Sequence, residues 1–151
     1  MGNTMSIIKN INFEDMQFAI NDNMRSDNMR SDYNKSLIIN TLEAHQQSCL
    51  ISGTLNIETE VEILNAELKK NKDIQIIIYG MNSCDDTCFK KYEQLVKLGF
   101  YNVYIYGGGL FEWLLLQDIY GTELFPTNNT SSIDLLKYKG RTKLNMQLLE
   151  N

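Results

Sequence analysis

The stretch "IIIYGMNSCDDTC", residues 76–88, decides how the rest of the chain is read. It opens on apolar residues, mostly β-branched, as a strand covered on both faces requires. A short polar loop follows at once, and Ser83, Asp85 and Asp86 are residue types that open helices. A strand that turns through such a loop into a helix leaves backbone N–H groups free at the turn, a geometry suited to an anion.

Working outward, Thr59 and Glu62 have capping-box spacing for a helix to about Lys70, with Val61, Leu64 and Leu68 facing inward. Farther back, "CLISGTLNI" (49–57) reads as an extended segment turning at Gly53, and "SLIIN" (36–40) as a buried strand. Asn12 and Asp15 frame a short helix, "FEDMQFAI", with Phe13, Met16 and Ile20 on one face. NMRSD occurs twice in tandem at 23–32; each Arg is matched by an Asp, and the repeat reads as a lengthened surface loop.

Downstream of the loop, Ser83 is expected to cap a helix with Cys88, Tyr92, Leu95 and Val96 inward, closed by Lys97 and Gly99. "NVYIY" (102–106) is the next strand, and "GGG" leads into an apolar helix ending near Ile119. Strands alternating with helices of this length predict an α/β fold: one domain, its central, mostly parallel sheet flanked by helices. Residues 1–10 form an N-terminal segment, 11–126 the domain, and 127–151 a C-terminal extension with one short helix.

Composition narrows the function classes. A chain of 151 residues, 43% hydrophobic and 22% charged, supports one globular domain. A net charge of −5 argues against a general nucleic-acid binder, which needs a basic face. No apolar run approaches the roughly 18 residues of a membrane span, and no signal peptide is expected. Cys49, Cys84 and Cys88 form no CxxC pair, which fits a reducing compartment, the cytoplasm or a membrane facing it. With one histidine, His45, no zinc site is expected, and nothing indicates a cofactor. The opening "MGNTMS" matches the N-myristoylation pattern, so Gly2 is the candidate lipidation site and a membrane surface a candidate partner. One acyl chain would hold the protein there only marginally.

Several of these stretches together resemble the rhodanese-like domain family. In "LGFYNVYIYGGGLFEW" (98–113), a Leu-Gly-Phe turn leads to Asn-Val-Tyr and a strand; Gly108 and Gly109 then open a helix with Trp113 four residues on. In "ISGTLNI" (51–57), Gly53, Asn56 and Ile57 match the family pattern, while Ser52 stands in place of its proline. "SLIINTLE" sits where the family has a strand and an Asp-Val-Arg signature, with Asn40 in place of the Asp. The likeness runs from residue 11 to about residue 120. The chain is also similar to rhodanese-like reading frames of large DNA viruses, which share its AT-rich flavour and add the virion as an expected location.

The resemblance implies a sulfurtransferase scaffold. Active members place a Cys directly after the central strand, where it takes sulfane sulfur as a persulfide. Loop amides and basic loop residues hold the anionic donor. Matched residue by residue, that Cys falls on Gly80, and the loop becomes Met81, Asn82, Ser83, Cys84, Asp85 and Asp86, with no Arg or Lys before Phe89. Cys84 lies near a helix N-terminus, which favours a thiolate, but two carboxylates outweigh the roughly half charge of a helix end. His45 is a base in principle and reads as a plain loop residue. Asp85 and Asp86 with Asn82 and Ser83 offer oxygens to a cation, but their spacing fits no calcium loop and capping explains them. The expectation is a non-catalytic module with no catalytic residue, binding a protein partner through the surface around residues 80–87. The alternative is a sulfur or redox transferase that uses Cys84. Cys88, on an inward helical stripe, is expected to be a buried small hydrophobe.

Overall fold

Four strands pair in one parallel sheet in the order β1 (Asn10–Ile11), β4 (Val103–Tyr106), β3 (Gln75–Tyr79), β2 (Ser36–Asn40). The computed structural model describes residues 8–29, 35–129 and 133–144. Parallel neighbours need crossovers, supplied here by α1 (Phe13–Met29), α2 (Glu60–Lys70) and α3 (Thr87–Leu98); α4 (Gly109–Tyr120) follows β4. From β2 through β3 to β4 the chain advances across the sheet in one direction, so right-handed crossovers put α2 and α3 on one face. The step from β1 to β2 runs the other way and sends α1 to the opposite face, where α4 joins it.

Strand alternation divides the core accordingly. Ile38, Ile77, Tyr79 and Tyr106 pack with Met16 and Ile20 of α1 and with Leu110 and Trp113 of α4. Leu37, Ile39, Ile76, Ile78, Val103 and Ile105 pack with Leu64 of α2 and with Cys88, Tyr92 and Leu95 of α3. A buried ion pair, Lys91 Nζ to Glu60 Oε2 at 2.6 Å, ties α3 to α2.

The α/β architecture, the strands and the reciprocal Asn12–Asp15 cap stand as expected, the cap with bonds of 3.2 and 3.0 Å. Several local expectations are corrected. The first NMRSD copy is helix rather than loop, because α1 continues to Met29 and Asn23 clamps the start of β2. Its side chain donates to Ser36 O at 3.0 Å and accepts from Ser36 N at 2.7 Å. The second copy beyond Met29 lies largely outside the described residues, as does Gly2. Segment 49–57 forms no strand; only isolated bridges join Thr54 to Ile38 and Ile51 to Thr127. Thr59 makes no side-chain cap, since it is itself already in helical backbone geometry. Val61 is 64% exposed and Val96 38% exposed, so the inward stripes of α2 and α3 omit them.

The extension packs on the domain. Asn128 N donates to Leu50 O at 2.9 Å, and a 3₁₀ turn at Leu135–Tyr138 buries Tyr138 against α4 and the first core.

α4 meets the loop after β3 at one close point. Leu110 N donates to Gly80 O and Phe111 N to Met81 O, both at 2.9 Å, so free N–H groups of the helix start hold the loop's carbonyls. Gly109 makes this approach with φ 71°, and a Cβ there would lie 2.9 Å from Asn82 N. Gly109→Ala should therefore destabilise by about 2–4 kcal/mol, strain and clash together. Gly121→Ala, with φ 100° but open space around it, should cost only the conformational part, about 1–2 kcal/mol. Urea unfolding of both variants checks this; equal costs would show that the close approach is unimportant.

Candidate functional site

The carboxyl ends of β2 and β3 open on a cavity of about 790 Å³, the edge where open α/β sheets place ligands. Thr41, Leu42, Glu43 and Gln46 line it after β2, and Met81, Asn82, Cys84, Asp85, Asp86 and Thr87 after β3. Arg141 and Lys143 of the extension complete the lining.

The loop is built around its own carboxylate. Asp85 Oδ2 accepts from Met81 N at 3.0 Å, while Oδ1 accepts from Thr87 N at 3.0 Å and from the Thr87 hydroxyl at 2.6 Å. The Thr87 hydroxyl lies 2.6 Å from that of Thr41. Thr87 has given its one proton to the carboxylate, so Thr41 must donate to Thr87. Asn82 Oδ1 accepts from Cys84 N at 2.9 Å, and Asp85 N donates to Asn82 O at 3.2 Å, closing the turn. Burial opposes ionisation of Asp85, but the bonds from Met81 and Thr87 outweigh it and hold its pKa below the ordinary value.

This carboxylate occupies the position next to Gly80. A Cβ on Gly80 would lie 2.6 Å from Asp85 Oδ2 and 3.0 Å from both the Cys88 sulfur and the Thr41 hydroxyl. A side chain at position 80 and Asp85 in its present place exclude each other. The expected capping role of Asp85 is met, through Thr87 N. Ser83 is not the cap: α3 starts at Thr87 with Asp86 before it, and Asp86 pairs loosely with Lys90 at 3.9 Å.

Of the three thiols, Cys84 alone is exposed. Cys88 is buried as expected, and burial first, then the charge of Asp85, push its pKa up to about 11 against an opposing bond from Thr41. His45 is exposed in a 3₁₀ turn and is absent from the cavity lining. Asn40 is buried and organises the next turn: it accepts from Leu42 N at 3.0 Å and from Gln47 Nε2 at 2.8 Å. Among the described residues no cluster of three or more His, Cys, Asp or Glu is arranged to hold a metal, and no helix is long and apolar enough to cross a membrane.

The sequence reading missed Thr41, Thr87, Arg141 and Lys143. The first two are remote in sequence from each other and ordinary in type. The last two had a signal, since "KYKGRTK" (137–143) carries four basic residues and no acid in an acidic chain.

The depressed pKa gives a pH signature with a definite sign. The stability Asp85 contributes is complete above the unfolded value near 3.9 and is lost as pH falls through the lower folded value. Asp85→Asn should lower Tm at pH 7, and the deficit should shrink as the pH approaches 3. Melts at pH 7, 5 and 3 check it; a deficit that stays constant would mean the charge is not at work.

Residues 21–116, more than half of the chain, match the family model described as Rhodanese-like domain. No curated protein matches the sequence. Among solved structures, the chain is similar to the BH2092 protein from Bacillus halodurans: 17% identical, over 93% of this chain and 89% of that one, with a TM-score of 0.55. It is also similar to the rhodanese-like domain of the Alr3790 protein from Anabaena sp.: 18% identical, over 92% and 96% of the two chains, with a TM-score of 0.51. At such identities the structural likeness speaks for the fold, and the family match speaks for kinship. The chain belongs to the rhodanese-like domain family.

Proposed function

We propose that this rhodanese-like domain lacks sulfurtransferase activity and serves as a protein-interaction module through the surface around residues 80–87. One observation carries the reading: Asp85 stands in the space beside Gly80 and consumes the Met81 amide that an incoming anion would use. A carboxylate there also repels anionic sulfur donors. The alternative, sulfur or redox transfer by Cys84, draws on an exposed thiol in a cavity that also holds Arg141 and Lys143. It lacks a histidine base, since His45 is outside the lining.

A thiosulfate:cyanide assay separates the two. Wild type, Cys84→Ser and Gly80→Cys should all stay at background, the last because its side chain meets Asp85. Turnover in wild type that vanishes in Cys84→Ser would reinstate the enzyme.

Lipidation at Gly2 belongs to the same proposal, with the cytoplasm, a membrane facing it or a viral particle as location and a large DNA virus as source. Its support is the "MGNTMS" pattern. Co-expression with an N-myristoyltransferase should add the mass of one myristoyl chain, and Gly2→Ala should abolish the addition; an unmodified wild-type mass removes the anchor.

A further inference from the structure

We propose that residues 133–144 of the extension act as a releasable strap, which covers part of the surface around residues 80–87 and must lift before a partner can dock there. The whole segment lies beyond the family match, which ends at residue 116. It meets the loop at two points. Asn82 Nδ2 donates to Tyr138 O at 2.8 Å. A Cβ on Gly140 would lie 3.7 Å from the Cys84 Cβ and 3.2 Å from its sulfur, so the chain passes in contact with that thiol.

The attachment of the extension is uneven. Just before the strap, it is stitched to the domain: Ser52 N donates to Pro126 O at 3.1 Å, Trp113 Nε1 to the same oxygen at 3.0 Å, and Asn128 N to Leu50 O at 2.9 Å. From Ile133 onward, the Asn82 bond is the one hydrogen bond to the domain among the described residues. The rest of the hold is apolar. Tyr138 is buried, with Ile133 and Leu135 packed on the same core, and Cys49 is a member of that core. Burial first, then Cys49, pushes the Tyr138 pKa up, which fits a ring seated close to this thiol. A segment held by one polar bond and one aromatic anchor opens locally, at less than the free energy of global unfolding.

The strap also defines the chemistry of the partner it yields to. Its packed side chains are Ile133, Leu135 and Tyr138, while Asp134, Leu136 and Lys137 are exposed. A partner segment with apolar residues at that spacing and an aromatic at its end takes the same seat, against a competitor tethered in cis. This deepens the reading of the surface as a partner site and rests on it only for what the strap regulates.

Thiol labelling with N-ethylmaleimide, resolved by peptide mass, reads the opening without any partner. Cys49 lies in the core that Tyr138 closes, and Cys88 in the opposite one. Tyr138→Ala should speed labelling of Cys49 at least about tenfold and leave Cys88 unchanged. Gly140→Cys supplies a lock, because Gly140 is outside the left-handed region and its Cβ distance to Cys84 suits a disulfide. Oxidised with diamide, this variant should label Cys49 at least about tenfold more slowly than the same protein reduced. A blocked peptide of residues 133–144 should restore protection of Cys49 in Tyr138→Ala, with a dissociation constant of about 1 mM or tighter. Equal Cys49 rates in the locked and reduced protein, Cys88 rising in step with Cys49, or a peptide without protective effect would overturn the proposal. Sulfur-transfer turnover by Cys84 would remove the partner reading alone, since the labelling rates do not depend on it.

Discussion

Asp85 accepts from Met81 N, Thr87 N and the Thr87 hydroxyl, and these donors would otherwise face a loop shaped to receive an anion. A tethered carboxylate competes with any free anion from an effective concentration of millimolar or more, and it cannot diffuse away. It also leaves its own charge behind as a repulsive neighbour. The donors at Met81 and Thr87 are thus satisfied by the protein itself, and the order of the loop follows from that.

Around this centre the loop is held from three directions. The start of α4 takes its carbonyls at Gly80 and Met81, the hydroxyl of Thr41 reaches it from the end of β2, and the extension binds Asn82. The first of these supports is wholly backbone, so no side-chain change removes its bonds. The third comes from outside the region that matches the family, so the tail is part of the architecture of this site and not an appendage.

Much of the fold was legible in local pattern. The alternating cores of β2, β3 and β4, the Gly99 stop and the Asn12–Asp15 cap all depend on residues a few positions apart. What was not legible depends on distant partners. Asn23 extends α1 because Ser36 answers it across thirteen residues, and no periodicity of the repeat announces that. Val61 and Val96 satisfy a helical stripe, yet both stay exposed in the fold. At the site, the glycine directly after β3 could be read from the sequence, but the direction of Asp85 could not. A carboxylate one residue before the Asp86 cap has several acceptor geometries, and only the positions of Met81 N and Thr87 choose among them.

Gly80 and Asp85 fit each other as a pair. With glycine after the strand and no carboxylate beside it, the turn would hold a void lined by unpaired N–H groups, each costing about 1–3 kcal/mol when cut off from water. With a side chain at 80 and Asp85 in place, oxygen and carbon would overlap. Placing a thiolate there would set two negative charges within contact distance, raising the pKa of whichever group yields. The present pair leaves neither an unpaired Met81 amide nor a clash.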